Sequence, residues 1–127
     1  MKLVTYTANG AQSVGAVVGD DDTVIDLAAA DRALARSEKR KTHDFFSSML
    51  TLLAAGPKGI SAAKKAAAAA AGKKTNSKTI HALNKVRLRA PVPNPSKVLC
   101  LAGNYQDHIE EGGGKMTLQT RKRRGSL

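Results

Sequence analysis

Three prolines within five residues, Pro91, Pro93 and Pro95, divide this chain more firmly than any other feature of it. Proline lacks an amide donor and holds φ at about −65°, so such a run is excluded from a central strand and forms a stiff, extended connection. The sequence therefore predicts a small domain over residues 1–90, a proline-rich linker leading into a first strand and helix over residues 91–116, and a basic, disordered tail over residues 117–127. Residues 1–90 must build their own core, and they have few large side chains for it. Within the 42% apolar content twenty-one residues are alanine, tryptophan is absent, and the aromatic residues are Tyr6, Phe45, Phe46 and Tyr105. Marginal stability is expected.

The fold class read from the pattern is α+β, a small antiparallel β meander packed with two to three helices. Residues 2–7 alternate, with Leu3 and Thr5 on one face and Val4 and Tyr6 on the other, and Asn9-Gly10 is a strong two-residue hairpin signal. Residues 12–18 supply the second strand, Gly19-Asp20-Asp21-Asp22 the next turn, and residues 23–26 a third strand. From Leu27 the pattern becomes helical through Arg36, and the polar run Ser37-Glu38-Lys39-Arg40-Lys41 breaks it. A second helix is expected after Thr42 as cap, with Phe46, Met49, Leu50 and Leu53 as its apolar stripe and Gly56-Pro57 as its stop. A third, capped by Ser61, is expected over residues 62–71, exposed or lightly packed because its side chains are alanine, and ended by Gly72. Residues 85–89 read as a further strand with Val86 and Leu88 inward.

Charge and cysteine usage bound the function classes. The net charge of +11 invites a polyanion hypothesis, but the basic residues are scattered and no recognition helix, stacking platform or zinc spacing frames them. Specific nucleic-acid binding is not expected, and the run Arg121-Lys122-Arg123-Arg124 reads as part of the disordered tail. Cys100, the sole cysteine, has no partner for an internal disulfide and reads as a small buried hydrophobe. No signal-type or membrane-spanning apolar run is present, so a cytoplasmic protein without membrane contact is expected.

The residues that carry chemistry lie in the segment PVPNPSKVLCLAGNYQDHIEE, Pro91 to Glu111. Its short apolar run, Val98 to Leu101, reads as a strand that enters a tight turn at Gly103-Asn104 and then a helix with Asp107 as its cap. Side chains three apart share a helical face, so Glu111 is placed to orient and polarise the imidazole of His108, which then takes a proton from water as a general base.

The pattern P-x-P-x-P-x-K-V-x-C-x-x-x-N-Y-x-D-H-x-x-E closely resembles the active-site region of the fumarylacetoacetate hydrolase family. Upstream strings, Met1 to Tyr6, Val14 to Val18, Val24 to Leu27 and Leu52 to Pro57, resemble the small N-terminal domain that precedes the catalytic part in many members, so the resemblance covers about residues 1–116. It implies that residues 91–116 are the incomplete start of a β-rich catalytic domain. It also implies metal-assisted hydrolysis, decarboxylation or isomerisation of a keto or dicarbonyl acid, with His108 and Glu111 catalytic and with Asn104, Tyr105 and Lys97 against the substrate. Family members hold Mg2+, or Mn2+ or Ca2+, through an E-x-E motif and later aspartates, and are commonly homodimers. This sequence has no E-x-E. Its last eleven residues depart from the family, which suggests a frameshift or premature end, so the expectation is that this chain holds no metal and is inactive alone. A contrasting reading is a small basic module for nucleic acid or an acidic partner. A downstream frame encoding E-x-E would separate the two.

Overall fold

The structure, a computed structural model, describes residues 1–72 and 78–100. Two units divide between Asn94 and Pro95. The first has the α+β architecture expected. Its elements are β1 (Lys2–Ala8), β2 (Ala11–Val18), β3 (Thr23–Asp26), α1 (Leu27–Glu38), a 3-10 turn (Asp44–Ser47), α2 (Met49–Ala54), α3 (Gly56–Ala71), β4 (Ile80–Ala82), a second 3-10 turn (Leu83–Lys85) and β5 (Arg87–Leu88). Among the described residues the five strands form one antiparallel sheet in the order β4-β3-β2-β1-β5. No helix among these residues is long and apolar enough to cross a membrane.

The hairpin forms where the sequence placed it. Asn9 and Gly10 both have positive φ, 50° and 79°, and Ala8 faces Ala11 across the turn. Two positive values in succession match the twist of the flanking strands. The alternating pattern then sorts side chains between two layers. Val14, Ala16 and Ile25 face the helices, while Tyr6, Val17 and Val24 face a second cluster supported by Leu83 and Val86 from the returning chain.

The helices depart from expectation in phase. The predicted continuous stripe over Phe46, Met49, Leu50 and Leu53 is interrupted because Ser48 is extended, φ −154° and ψ 162°, between the 3-10 turn and α2. Ser48, not Thr42, caps α2, and it does so in a reciprocal box with Thr51. The reset turns Met49 and Leu52 inward, leaving Leu50 and Leu53 about half exposed, 48% and 49%. Gly56, at φ 59°, breaks the helical path, and Pro57 then opens α3 instead of ending α2. Ser61 consequently lies inside α3, while Gly72 is its C-cap as expected.

The alanine tract is core and not exposed helix. Ala63, Ala66, Ala67 and Ala70 are buried, at the i, i+3, i+4 and i+7 spacing of one helical face. Methyl side chains let α3 lie close to α1 and the sheet, so a chain poor in large residues still fills its interior by close backbone approach. The segment after β5 is held to this unit as well. Thr5 Oγ1 donates to the Pro91 carbonyl at 2.7 Å, and Val92 packs against the core. The expected strand over residues 85–89 is reduced to two residues, and Leu88 is 50% exposed instead of inward. A strand over Ile80–Ala82 pairs with β3 where none was expected.

Candidate functional site

Of the side chains assigned roles from the sequence, His108, Glu111, Asn104 and Tyr105 lie outside the described residues, as does Leu101 of the expected strand. Lys97 lies within them, exposed, on a segment that is neither helix nor strand. Around it Val98 is 75% and Leu99 93% exposed, and Cys100 is exposed too. The buried strand read from these residues is therefore not formed at residues 98–100, and Cys100 is not a buried hydrophobe. A strand needs a neighbour for its backbone donors and acceptors, and none of the described residues pairs with this segment.

The described residues carry one organised polar cluster that sequence reasoning missed. Asp31 sits in α1 with 1% of its surface exposed. Its carboxylate accepts from Arg40 Nη2 at 2.7 Å, from the His43 backbone N–H at 2.7 Å and from His43 Nδ1 at 2.9 Å. Burial alone would push the carboxyl up, but these hydrogen bonds outweigh it and hold Asp31 below the usual carboxylate range. Arg40 Nε also donates to Glu38 at 2.8 Å, and Lys65 reaches the other Glu38 oxygen at 2.7 Å. The cluster pins the turn that follows α1, whose Lys39 is left-handed at φ 52°. A bonded Nδ1 leaves Nε2 of His43 as the open nitrogen, the arrangement that a carboxylate–histidine pair uses to fix one tautomer. The available signal was an aspartate at an inward position of an alanine-rich helix, followed at a distance by arginine and histidine.

A second buried polar pair is structural. Tyr6 is 1% exposed and donates from its hydroxyl to Asp26 at 2.8 Å, while the other Asp26 oxygen caps α1 at Ala29 N. Burial, reinforced by the neighbouring carboxylate, pushes the phenol far above its ordinary value. The triple aspartate forms a turn, with Asp21 paired to Lys2 and Asp22 accepting from the Thr23 hydroxyl. Among the described residues no three His, Cys, Asp or Glu side chains are grouped to hold a metal ion.

Comparison with known proteins supports the resemblance to the fumarylacetoacetate hydrolase family. The chain is 32% identical over 119 residues to an oxaloacetate tautomerase, YisK of Bacillus subtilis strain 168, in a match covering 91% of this chain. It spans 37% of the length of that relative. No family model matches the sequence.

Proposed function

We propose that this chain is the N-terminal portion of an enzyme acting on a keto or dicarbonyl acid, with His108 as general base and Glu111 as the carboxylate that orients it. The observation that carries this reading is the extent of the similarity. A match over 91% of 127 residues leaves about a dozen uncovered, too few to put the Pro91 to Glu111 segment beyond either end of it.

The name of the relative favours enol–keto isomerisation of a 2-keto acid over cleavage. In that reaction one imidazole suffices for the proton traffic: His108 takes the proton from one atom of the enol unit and returns it to the other, while Glu111 stabilises the imidazolium in between. In a hydrolysis the same base would take its proton from water. Asn104, Tyr105 and Lys97 supply hydrogen bonds and positive charge for the substrate carboxylates.

The test is a chimera in which residues 1–116 replace the matching segment of the Bacillus subtilis enzyme, followed by the decay of oxaloacetate enol absorbance. The chimera should turn over, and His108→Ala should lower the rate by roughly 10²-fold or more. A His108→Ala chimera as active as its parent would overturn the assignment. The 127-residue chain alone should show no turnover. Magnesium-dependent activity in it, lost on His108→Ala, would overturn that expectation.

A further inference from the structure

We propose that the groove between α3 and the segment from Glu38 to His43 is a binding site for a small oxyanion, a phosphate or phosphate monoester. The groove has a volume of about 610 Å³ and is lined by Glu38, Arg40, His43, Lys58, Ser61 and Lys65, with Pro57 and Ala62 beneath. That volume lies in the range of small-ligand sites. The argument rests on which of these groups still have hydrogen-bonding capacity to offer.

Glu38 is the one carboxylate in the lining, and both its oxygens are taken, one by Arg40 Nε and one by Lys65 Nζ. Arg40 has three of its five N–H donors engaged as well. Its nitrogens donate to Glu38, to the Lys41 carbonyl and to Asp31. What stays open is mostly donors, with one imidazole nitrogen beside them. Lys58 and Ser61 have no partner among the described residues, Lys65 has donors beyond its one bond, and His43 has its Nδ1 committed to Asp31 with Nε2 unengaged.

Lys58, Ser61 and Lys65 stand at i, i+3 and i+7 on α3, which puts them on one helical face, the face that lines the groove. One unpaired ammonium group, Lys58, a second, Lys65, shared with Glu38, a hydroxyl donor and an imidazole thus line the groove. The first turn of α3 adds partial positive charge beside them, since its N-cap Ala55 supplies no side-chain acceptor and Pro57 and Lys58 border the groove. Oxyanions accept from the ammonium groups and the hydroxyl, ammonium-to-phosphate hydrogen bonds being among the stronger ones, while His43 Nε2, with the ring proton on Nδ1, accepts from a protonated oxygen of the phosphate. The site belongs to the first unit alone and does not depend on the reaction proposed above.

The experiment is an NMR titration of the 127-residue chain with inorganic phosphate, at fixed pH and with ionic strength held constant by chloride. The readout is the ring-proton signals of His43 and His81. The His43 signal should move and saturate while His81 stays in place, and Lys58→Ala together with Ser61→Ala should weaken the apparent affinity at least tenfold. Both residues are exposed and unpartnered, so the fold is expected to survive, as the unchanged His81 signal and far-ultraviolet dichroism would report. A shift that never saturates, one equal at both histidines, or one unchanged in the double variant would overturn the proposal.

Discussion

Replacing Asp31 tests the central structural claim, that one buried carboxylate organises the turn after α1. Asp31→Ala removes three hydrogen bonds at 2.7, 2.7 and 2.9 Å from a side chain that is almost wholly enclosed. Hydrogen bonds to charged groups contribute about 1.5–3 kcal/mol each, but they share one acceptor and do not add. Arg40 keeps Glu38 as a partner and is partly solvated, so the guanidinium loses little. The His43 amide loses its acceptor, at a cost of about 1–3 kcal/mol. Alanine returns a few tenths of a kcal/mol through helix propensity. The net loss expected is about 3 kcal/mol, a large part of what a domain of this size holds. Asp31→Asn keeps an acceptor for the amide and should lose about half as much. Urea unfolding at neutral pH, followed by far-ultraviolet dichroism, measures both variants. A loss below about 1 kcal/mol for Asp31→Ala would refute the reasoning. The pH dependence adds a second reading. A carboxyl held below its unfolded value of 3.8 stabilises the fold above that pH, and the contribution is lost as pH falls through the folded value. Asp31→Asn should therefore flatten the acid limb of stability against pH.

Gly15→Ala should be severely destabilising, by roughly 2–3 kcal/mol in the same urea assay, because a β-carbon there would lie 2.6 Å from Val24 Cγ1 and 2.9 Å from Tyr6 Cε1, both in the core. Ser48→Ala should lose about 1 kcal/mol through the α2 cap, and Ser48→Asp should recover most of it; equal losses for the two would refute the capping role. Tyr6→Phe should lose about 1 kcal/mol at neutral pH. The raised phenol value means that the wild-type contribution is complete below the unfolded value of 10.0 and declines as pH rises towards the folded one, so the stability gap between the wild type and Tyr6→Phe should change only on the alkaline side.

The β meander was legible because its signals are local. Alternation assigns faces within a strand, and Asn9-Gly10 sets the turn and hence the register of β1 on β2. The helical region was less legible because one extended residue, Ser48, resets the phase between two apolar runs that a continuous 3.6-residue pattern joins smoothly. Nothing in Leu50 or Leu53 distinguishes them from Leu52; only the break upstream decides which leucine turns inward. The alanine tract misled for a related reason. Alanine marks a helix but carries little hydrophobic contrast, so its buried face is set by how closely α1 and the sheet approach, a tertiary fact.

The chemistry divides along the same line between local and non-local information. His108 and Glu111 stand out because they are three residues apart within a pattern that resembles a known family, so the sequence proposes them without coordinates. Asp31, Arg40 and His43 are nine and twelve residues apart, joined by a left-handed turn at Lys39, and no linear motif announces them. The basic residues show the consequence most clearly. In the sequence, Lys58 and Lys65 are merely part of a scattered positive charge. Once folded, Glu38 neutralises itself against Arg40 and Lys65, Asp31 turns His43, and the remaining donors share one groove. A net charge of +11 says nothing about where an anion would bind; the pairing of the few acids does, because it shows which cations are already engaged and which, like the exposed Lys58, are not.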